Sequence, residues 1–449
     1  MTGRVALLLV GCSVVVFLLM NASMGTSDAI DNFAQYENRS NAYAIALSGA
    51  NIAANLLYFN KFYQGTYKEN MDFQGGTLSI VVERIGDRTK VTSSGTYPAS
   101  GSDYVTEQVV SNFSPGYYDR FVLLTDNDPG SIPWTTYDTA NGNLHSNNTL
   151  TIDHYSGNPV MPVFNGAVTA TKSINITPGT KPVFSQPPQT GMIVEFPTDF
   201  DPVTEAPFLP GGVDWNRNYL INNGNTLVSR EQLHLQFFVD GSGQQMVRYF
   251  RSDVRNSNNG YGDFRASDSV VNAPASGIIY APGVDVFVEG TVEQKLSVLC
   301  TPKATGTGGN IFVTNDLVCN TDPTKDSNSP DYIGLLAYNN VVIANTKNDN
   351  ATNSGTNRVK IQASIVALKG GLTGADNVTR TRQILDIYGS VTQAVRKGVG
   401  SGSSAIGSAS GGFMKHYYYD ARFINDHALL MPKTPLLSLD SFLVRRGLN

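Results

Sequence analysis

The sequence predicts a mainly β protein: a long N-terminal α-helix, a small β-domain and a C-terminal right-handed parallel β-helix, a solenoid. Three observations predict it. Charged residues make up only 15% of the 449 residues while Gly (43), Tyr (21) and Phe (21) are plentiful, a balance that suits pleated surfaces and turns better than long solvated helices. An unbroken apolar run opens the chain. Short β-branched and aromatic runs recur in the last third at steps of about 25 residues, from Ile311 to Leu335, Ile361 and Asp386, the mark of one coil per repeat.

The helix comes first. Val5 to Met20 is apolar or small throughout, and Asn21 to Gly25 extends the run towards the ~20 residues that a bilayer span needs. Arg4 precedes it, and Asp28, Asp31 and Glu37 come after it, so the positive-inside rule places the N-terminus in the cytoplasm and everything after about residue 25 outside. Three fates compete for this segment. A cleaved signal peptide would use Asn21-Ala22-Ser23 as its small-residue site. A lipoprotein box is present at Leu9-Val10-Gly11-Cys12, but an apolar stretch, Val14 to Leu19, continues past the cysteine. A retained anchor running on into a long helix fits the downstream residues: Ala42, Ile45, Ala46, Gly49, Ala53, Leu56 and Leu57 recur at spacings of three and four and form one small-residue face.

Arg4 to Leu57, with its short basic start, apolar run and the small-residue segment Asn41 to Ala50, resembles the N-terminal region of PilX-type pilus-assembly minor pilins. The resemblance implies a pilin-like helix that anchors the subunit in the membrane before it joins a pilus or pseudopilus. With Gly3 as the prepilin cleavage residue, the fifth mature residue is Leu8, where major pilins carry Glu.

Residues 63–141 read as a small β-domain on the helix: Thr77 to Glu83 and Thr89 to Ser94 flank Ile85-Gly86-Asp87-Arg88 as a hairpin, with further strands at Tyr104 to Val110 and Arg120 to Leu124. Residues 142–272 are rich in Pro, Gly and Asn and read as irregular β structure, with strands Leu235 to Val239 and Gln245 to Arg248 around Gly241-Ser242-Gly243. Residues 273–425 carry the β-helix strands, with Asn339-Asn340 turning the chain within a coil, and 426–449 form a tail. Ile387 to Gln393, Arg396 to Gly400, Gly412 to Lys415 and Tyr417 to Arg422 resemble the end of a family of uncharacterised bacterial envelope proteins, which implies a pilin-like N-terminus joined to a β-helical C-terminal region.

Chemistry is sparse. Net charge is −5, with no run of Lys or Arg able to neutralise a row of phosphates, so no nucleic-acid partner is expected. Carbohydrate-active β-helices bring carboxylates from neighbouring coils together; here Asp285, Glu289, Glu293 and Asp386 stand apart in sequence. There is no Gly-x-Ser-x-Gly, Gly407 to Gly411 having the wrong spacing. His145, His154, His234, His416 and His427 show no metal-ligand pair, and no phosphate loop is present. Asp126-Asn127-Asp128-Pro129-Gly130 begins as a calcium loop does, an Asx turn being the competing reading; Asp322, Asp326 and Asp331 are a weaker version. The Gly/Ser-rich segment 398–412 reads as a surface loop, with a partner-binding loop as the alternative. Cys12 lies in the apolar run, which leaves Cys300 and Cys319 as a disulfide candidate. Closing that loop of about 20 residues would stabilise by roughly 3 kcal/mol, and two separate thiols are the other reading.

The expectation is a non-catalytic, single-pass protein of the bacterial cytoplasmic membrane with a periplasmic or extracellular body. It would be an accessory or minor pilin-like subunit of a type IV pilus or secretion pseudopilus, with no cofactor beyond a calcium candidate. Its expected partners are the membrane, other pilin-like or envelope proteins and surface polysaccharide. A carbohydrate-active β-helix enzyme and a surface adhesin are the alternatives.

Overall fold

The computed structural model describes residues 2–85, 88–99, 103–154, 160–200, 208, 222–223, 226–227, 232–252, 264–302, 306, 308–344, 358–375, 383–400 and 413–446. The turn at Gly86-Asp87, the Asn256 to Gly260 segment and residues 401–412, including Gly407 to Gly411, lie outside them. The protein is mainly β with one N-terminal helix, and it divides into two compact units: Met1–Gly116 with Pro435–Asn449, and Tyr117–Thr434. The division falls between Gly116 and Tyr117, upstream of the 141/142 boundary drawn from composition.

In the first unit, α1 (Thr2–Phe59) is a single helix of 58 residues, about 87 Å at 1.5 Å per residue. It is long and apolar enough to cross a membrane. Its character changes along its length. Val14 to Met20 are all exposed, at 52–65%, whereas Ala42, Ile45, Ala46, Ala50, Ala53 and Leu57 are buried. The sheet beneath that second half contains β1 (Gly65–Phe73), β2 (Gly76–Ile85), β3 (Arg88–Pro98) and β4 (Tyr104–Tyr117), with the C-terminal strand Lys433–Arg446 beside β4. The expected hairpin is β2–β3, antiparallel with Glu83 opposite Lys90.

Strand alternation points Leu78, Ile80 and Val82 of β2 and Val91 and Ser93 of β3 inwards, which matches the period of two in a half-buried sheet. Two glycines set the distance between helix and sheet. A Cβ on Gly95 would lie 2.2 Å from the Ala42 carbonyl oxygen, and one on Gly49 would lie 2.2 Å from Ser93 Oγ. The small-residue face read from sequence is therefore a close-packing face, where only glycine allows the backbones to approach.

The second unit is built from parallel ladders. Side-chain hydrogen bonds between strand neighbours link residues 24 to 30 apart, as in Thr149–Ser173, Asp285–Asn310, Ser364–Ser390 and Asn310–Asn340. One interior row reads Ile279, Val298, Leu335, Ile365, Val391, Leu123, Leu144, Val168, each in register with the next. A second row reads Phe237, Gly290, Leu317, Ile361, Ile387, Tyr417, Ala140, Phe164, Phe184. The interior of these rows forms one apolar cluster.

The register differs from the sequence expectation: Ile311 pairs with Val341, Leu335 with Ile365, and Ile361 with Leu317 and Ile387. Leu335 belongs to a different ladder from Ile311 and Ile361, because one turn of the stack carries more than one strand. Asn339-Asn340 does turn the chain, and Asn340 donates through its backbone N and Nδ2 to Asn310 Oδ1 at 3.1 and 3.0 Å. The Leu235 to Val239 and Gln245 to Arg248 strands form an antiparallel hairpin, with Gly243 in the left-handed region of its turn.

Chain order and spatial order differ along these rows. The strand Leu123–Asn127 joins the middle of the stack, between Gln383–Val395 on one side and Leu144–Ser146 on the other. From there the chain builds outwards to Gln189–Thr190. It then returns along the flank. Met192 O accepts from Thr171, Val194 O from Asn147, Glu195 O from Tyr118 Oη, and Thr198 O from Lys369; Phe208 N donates to Tyr280 O. From Gln232–Val239 the chain stacks back towards the starting point and ends its ladder at Phe413–Tyr419, beside Thr139–Asn141.

Candidate functional site: a buried ionic seam

Where the first strands of the body meet its last ones, in the middle of the stack, the apolar interior gives way to charge. Asp128 Oδ2 lies 3.1 Å from Arg396 Nη1, with side chains 1% and 4% exposed. Asp138 Oδ2 lies 2.8 Å from Lys415 Nζ, at 2% and 13%. Both cations face Trp134, with the Arg396 guanidinium 4.9 Å and the Lys415 ammonium 5.5 Å from the ring centroid. Trp134 is fully buried and packs edge-on against Phe164 and Tyr417 at 5.3 and 5.7 Å.

Local structure holds each group. Trp134 is pinned by backbone bonds to Thr151 and Asp153. Asp138 caps its own turn, accepting from Thr135 N at 2.8 Å. Arg396 comes directly after the ladder strand Gln383–Val395, its backbone N–H donating to Asn127 O, and Lys415 lies within Phe413–Tyr419 opposite Leu385.

Burial dominates the electrostatics. It pushes the Asp128 carboxyl above its ordinary value, with Arg396 and then Lys415 opposing, and it pushes the Lys415 ammonium below its ordinary value, with Asp138 opposing. Such a shift is the cost of desolvating charge that an ion pair only partly offsets. Asp128 Oδ1, Arg396 Nη2 and Trp134 Nε1 are buried without a hydrogen-bond partner among the described residues.

A third pair joins the same two segments. His427 Nδ1 lies 3.0 Å from both carboxylate oxygens of the fully buried Asp119, and its ring stacks on Tyr117 at 3.6 Å. Burial raises the Asp119 carboxyl, with His427 opposing. In all three pairs the acid comes from the first segment of the body and the base from the last.

The residues singled out from sequence fall elsewhere or in other roles. Asp128 is in the seam, but Asp126 is exposed and accepts from Asn147 Nδ2 at 2.8 Å. The two carboxylates of the calcium candidate, Asp126 and Asp128, serve different partners in this structure. Asp322 accepts from Thr324, Lys360 and Gln362, Asp326 from Asn328 N, and Asp331 from Thr321 N. Among the described residues, no three His, Cys, Asp or Glu side chains gather where they could hold a metal.

Cys300 and Cys319 are corrected to free, separately buried thiols: Cys300 Sγ donates to Val284 O at 2.9 Å and Cys319 Sγ to Asp331 O at 3.5 Å. Burial raises both thiols, Cys319 to about 12. The acids of the ladders tie strands together. Asp285 accepts from Asn310, the buried Glu289 from Gln236 and Thr314, and Asp386 from His416 Nδ1 and, at 3.2 Å, pairs with Arg358. His145 is buried between Thr169 and Asn147, His154 bonds Thr180, and His234 stacks between Phe250 and Phe287.

Trp134, Asp138, Arg396 and Lys415 had no signal in the sequence, because partners 268 residues apart share no motif. The one available hint was Lys415 in an inward position of an alternating strand, Phe413, Lys415, Tyr417. No family, curated protein or solved structure matches this chain.

Proposed function

We propose that this chain is a membrane-anchored, non-catalytic display protein of the bacterial envelope, an accessory or minor pilin-like subunit whose body is a right-handed parallel β-helix. The observation that carries the reading is the change of character along α1. Its first half presents Val14 to Met20 and Met24 as exposed side chains, and its second half packs onto a sheet through Gly49 and Gly95. Exposed leucine, valine and phenylalanine in an unbroken run are stable in lipid and costly in water. A helix that emerges from the membrane and becomes the spine of an antiparallel sheet is the layout that the PilX-type resemblance implies.

The ladders support the β-helix reading: two long rows of parallel pairing, steps of 24 to 30 residues, and a row of stacked Val, Leu and Ile. The charged groups of the interior neutralise one another inside the stack, which suits a scaffold. The polysaccharide-enzyme and adhesin alternatives have no observation of their own in their favour.

The test is the mass of the N-terminal peptide of protein purified from its native membrane. A methylated N-terminus at Arg4 supports prepilin processing and the filament role, and a start at Met1 or Thr2 supports a permanent anchor. A lipid on Cys12 or a start near Met24 overturns the pilin-like reading.

A further inference from the structure

The interior row from Ile279 to Val168 is Val, Leu and Ile throughout, so one layer of it differs little from the next. A parallel strand can slide by a whole layer and still bury apolar side chains. The same uniformity makes an open end of a ladder sticky towards any other strand edge. This body has such an open end during folding, because its first segment does not dock on its sequence neighbours alone. Its outer face must find Gln383–Val395 and Phe413–Tyr419, strands that are made last.

We propose that the seam is a keyed interface between two separable parts of the body, the segment from Tyr117 to about residue 200 and the segment from Gln232 to Thr434, with acid on one face and base on the other as the key. The first face carries Asp119, Asp128 and Asp138; the second carries His427, Arg396 and Lys415. Two pairs sit around the buried Trp134, where a mismatched docking would leave an ionised group without a counter-ion. Backbone pairing of Leu123 with Val391 and of Ala140 with Tyr417 supplies the attraction, and the charges select the register. Asn141 Nδ2 to Tyr417 O and Gln393 Nε2 to Thr125 Oγ1 complete the contact. The partner that each face fits is the other face, a parallel strand end bearing buried charge of opposite sign.

The experiment places protease sites between residues 210 and 211 and between residues 434 and 435 of the full chain in detergent, so that the strand paired with β4 is detached from the body, cuts the purified protein and asks whether the piece 211–434 remains with the N-terminal piece on size exclusion in salt. These two wild-type pieces are expected to co-elute. Arg396→Asp is expected to weaken their association by at least about 100-fold, the consequence of stranding one partner of a buried pair. The exchange Asp128→Arg with Arg396→Asp is expected to restore much of it. Circular dichroism of each uncut variant checks folding, and Arg396→Lys, which keeps the charge, replaces Arg396→Asp if the latter does not fold; an intermediate loss is then expected. Separation of these two wild-type pieces, or an exchanged pair no better than the single variant, overturns the proposal.

Discussion

The two units solve the same packing problem in opposite ways. In the helix and sheet unit, the helix and the four strands that follow it are consecutive in sequence, with β2 pairing with β3 across a short turn, and the C-terminal strand Lys433–Arg446 joins from afar at the edge beside β4. The contact of helix and sheet is made of alanine, glycine and leucine, and the ion pair Lys90–Glu83 is exposed. In the body, strands pair in parallel across 24 residues or more, and the closing contacts span 268 and 308 residues. There the ion pairs of the seam, Asp128–Arg396 and Asp138–Lys415, are buried. Local antiparallel contacts can specify themselves by alternation and turn length, whereas repetitive parallel layers need a feature that occurs once. Charge in the interior is such a feature.

Removing one cation from each unit tests the contrast most severely. Arg396→Met should cost the body about 3–5 kcal/mol at pH 8, because Asp128 is left ionised and buried. Urea unfolding followed by tryptophan fluorescence reads this directly, since Trp134 is buried beside Arg396 and both tryptophans of the sequence, Trp134 and Trp215, fall between positions 117 and 434. The same variant should lose less at pH 5, where Asp128 can take up a proton.

Gly95→Val should destabilise the helix and sheet unit by about 1–3 kcal/mol, the usual cost of overpacking, because its Cβ would meet the Ala42 carbonyl at 2.2 Å. Hydrogen exchange should show faster exchange in β2 and β3 and unchanged protection in the body ladders.

The buried acids give the stability of the body a definite direction with pH. Asp119, Asp128, Asp316 and Asp331 are all raised, in each case by burial. The folded state then holds their protons more tightly than the unfolded state, so their contribution to stability grows as pH falls from neutral through their folded values and is complete below the ordinary Asp value of about 3.9. Asp322 opposes this. Burial pushes it up, but Lys360, Thr324 and Gln362 hold it well below the ordinary range, so its contribution is present above the unfolded value and is lost as pH falls through its folded one. Urea midpoints should therefore rise modestly from pH 7 to 5; a monotonic fall over that range would show that the buried acids do not govern the body.

The smallest effect should be Lys90→Ala. Its partner Glu83 is half exposed, and surface pairs contribute about 0–1 kcal/mol. A change in thermal midpoint near zero is expected, and a loss as large as that of Arg396→Met would erase the contrast between the units.

Whatever depends on short spacing was legible in the order of the residues. The apolar run and the three-four periodicity of Ala42 to Leu57 mark α1, the alternation around Ile85 to Arg88 marks the β2–β3 hairpin, and the strand runs of the last third mark a mainly β body. These are properties of neighbouring residues, and their physics is local burial and turn geometry. Folding in three dimensions was needed to establish that the first strand of the body joins the middle of the stack, that residues 192–200 return along its flank, and that Asp128 and Asp138 meet Arg396 and Lys415. Cys300 and Cys319, close in sequence, went to different backbone carbonyls for the same reason. A pairing between residues some 270 apart is selected by the free energy of burying them together, and that quantity has no counterpart in the order of the residues along the chain.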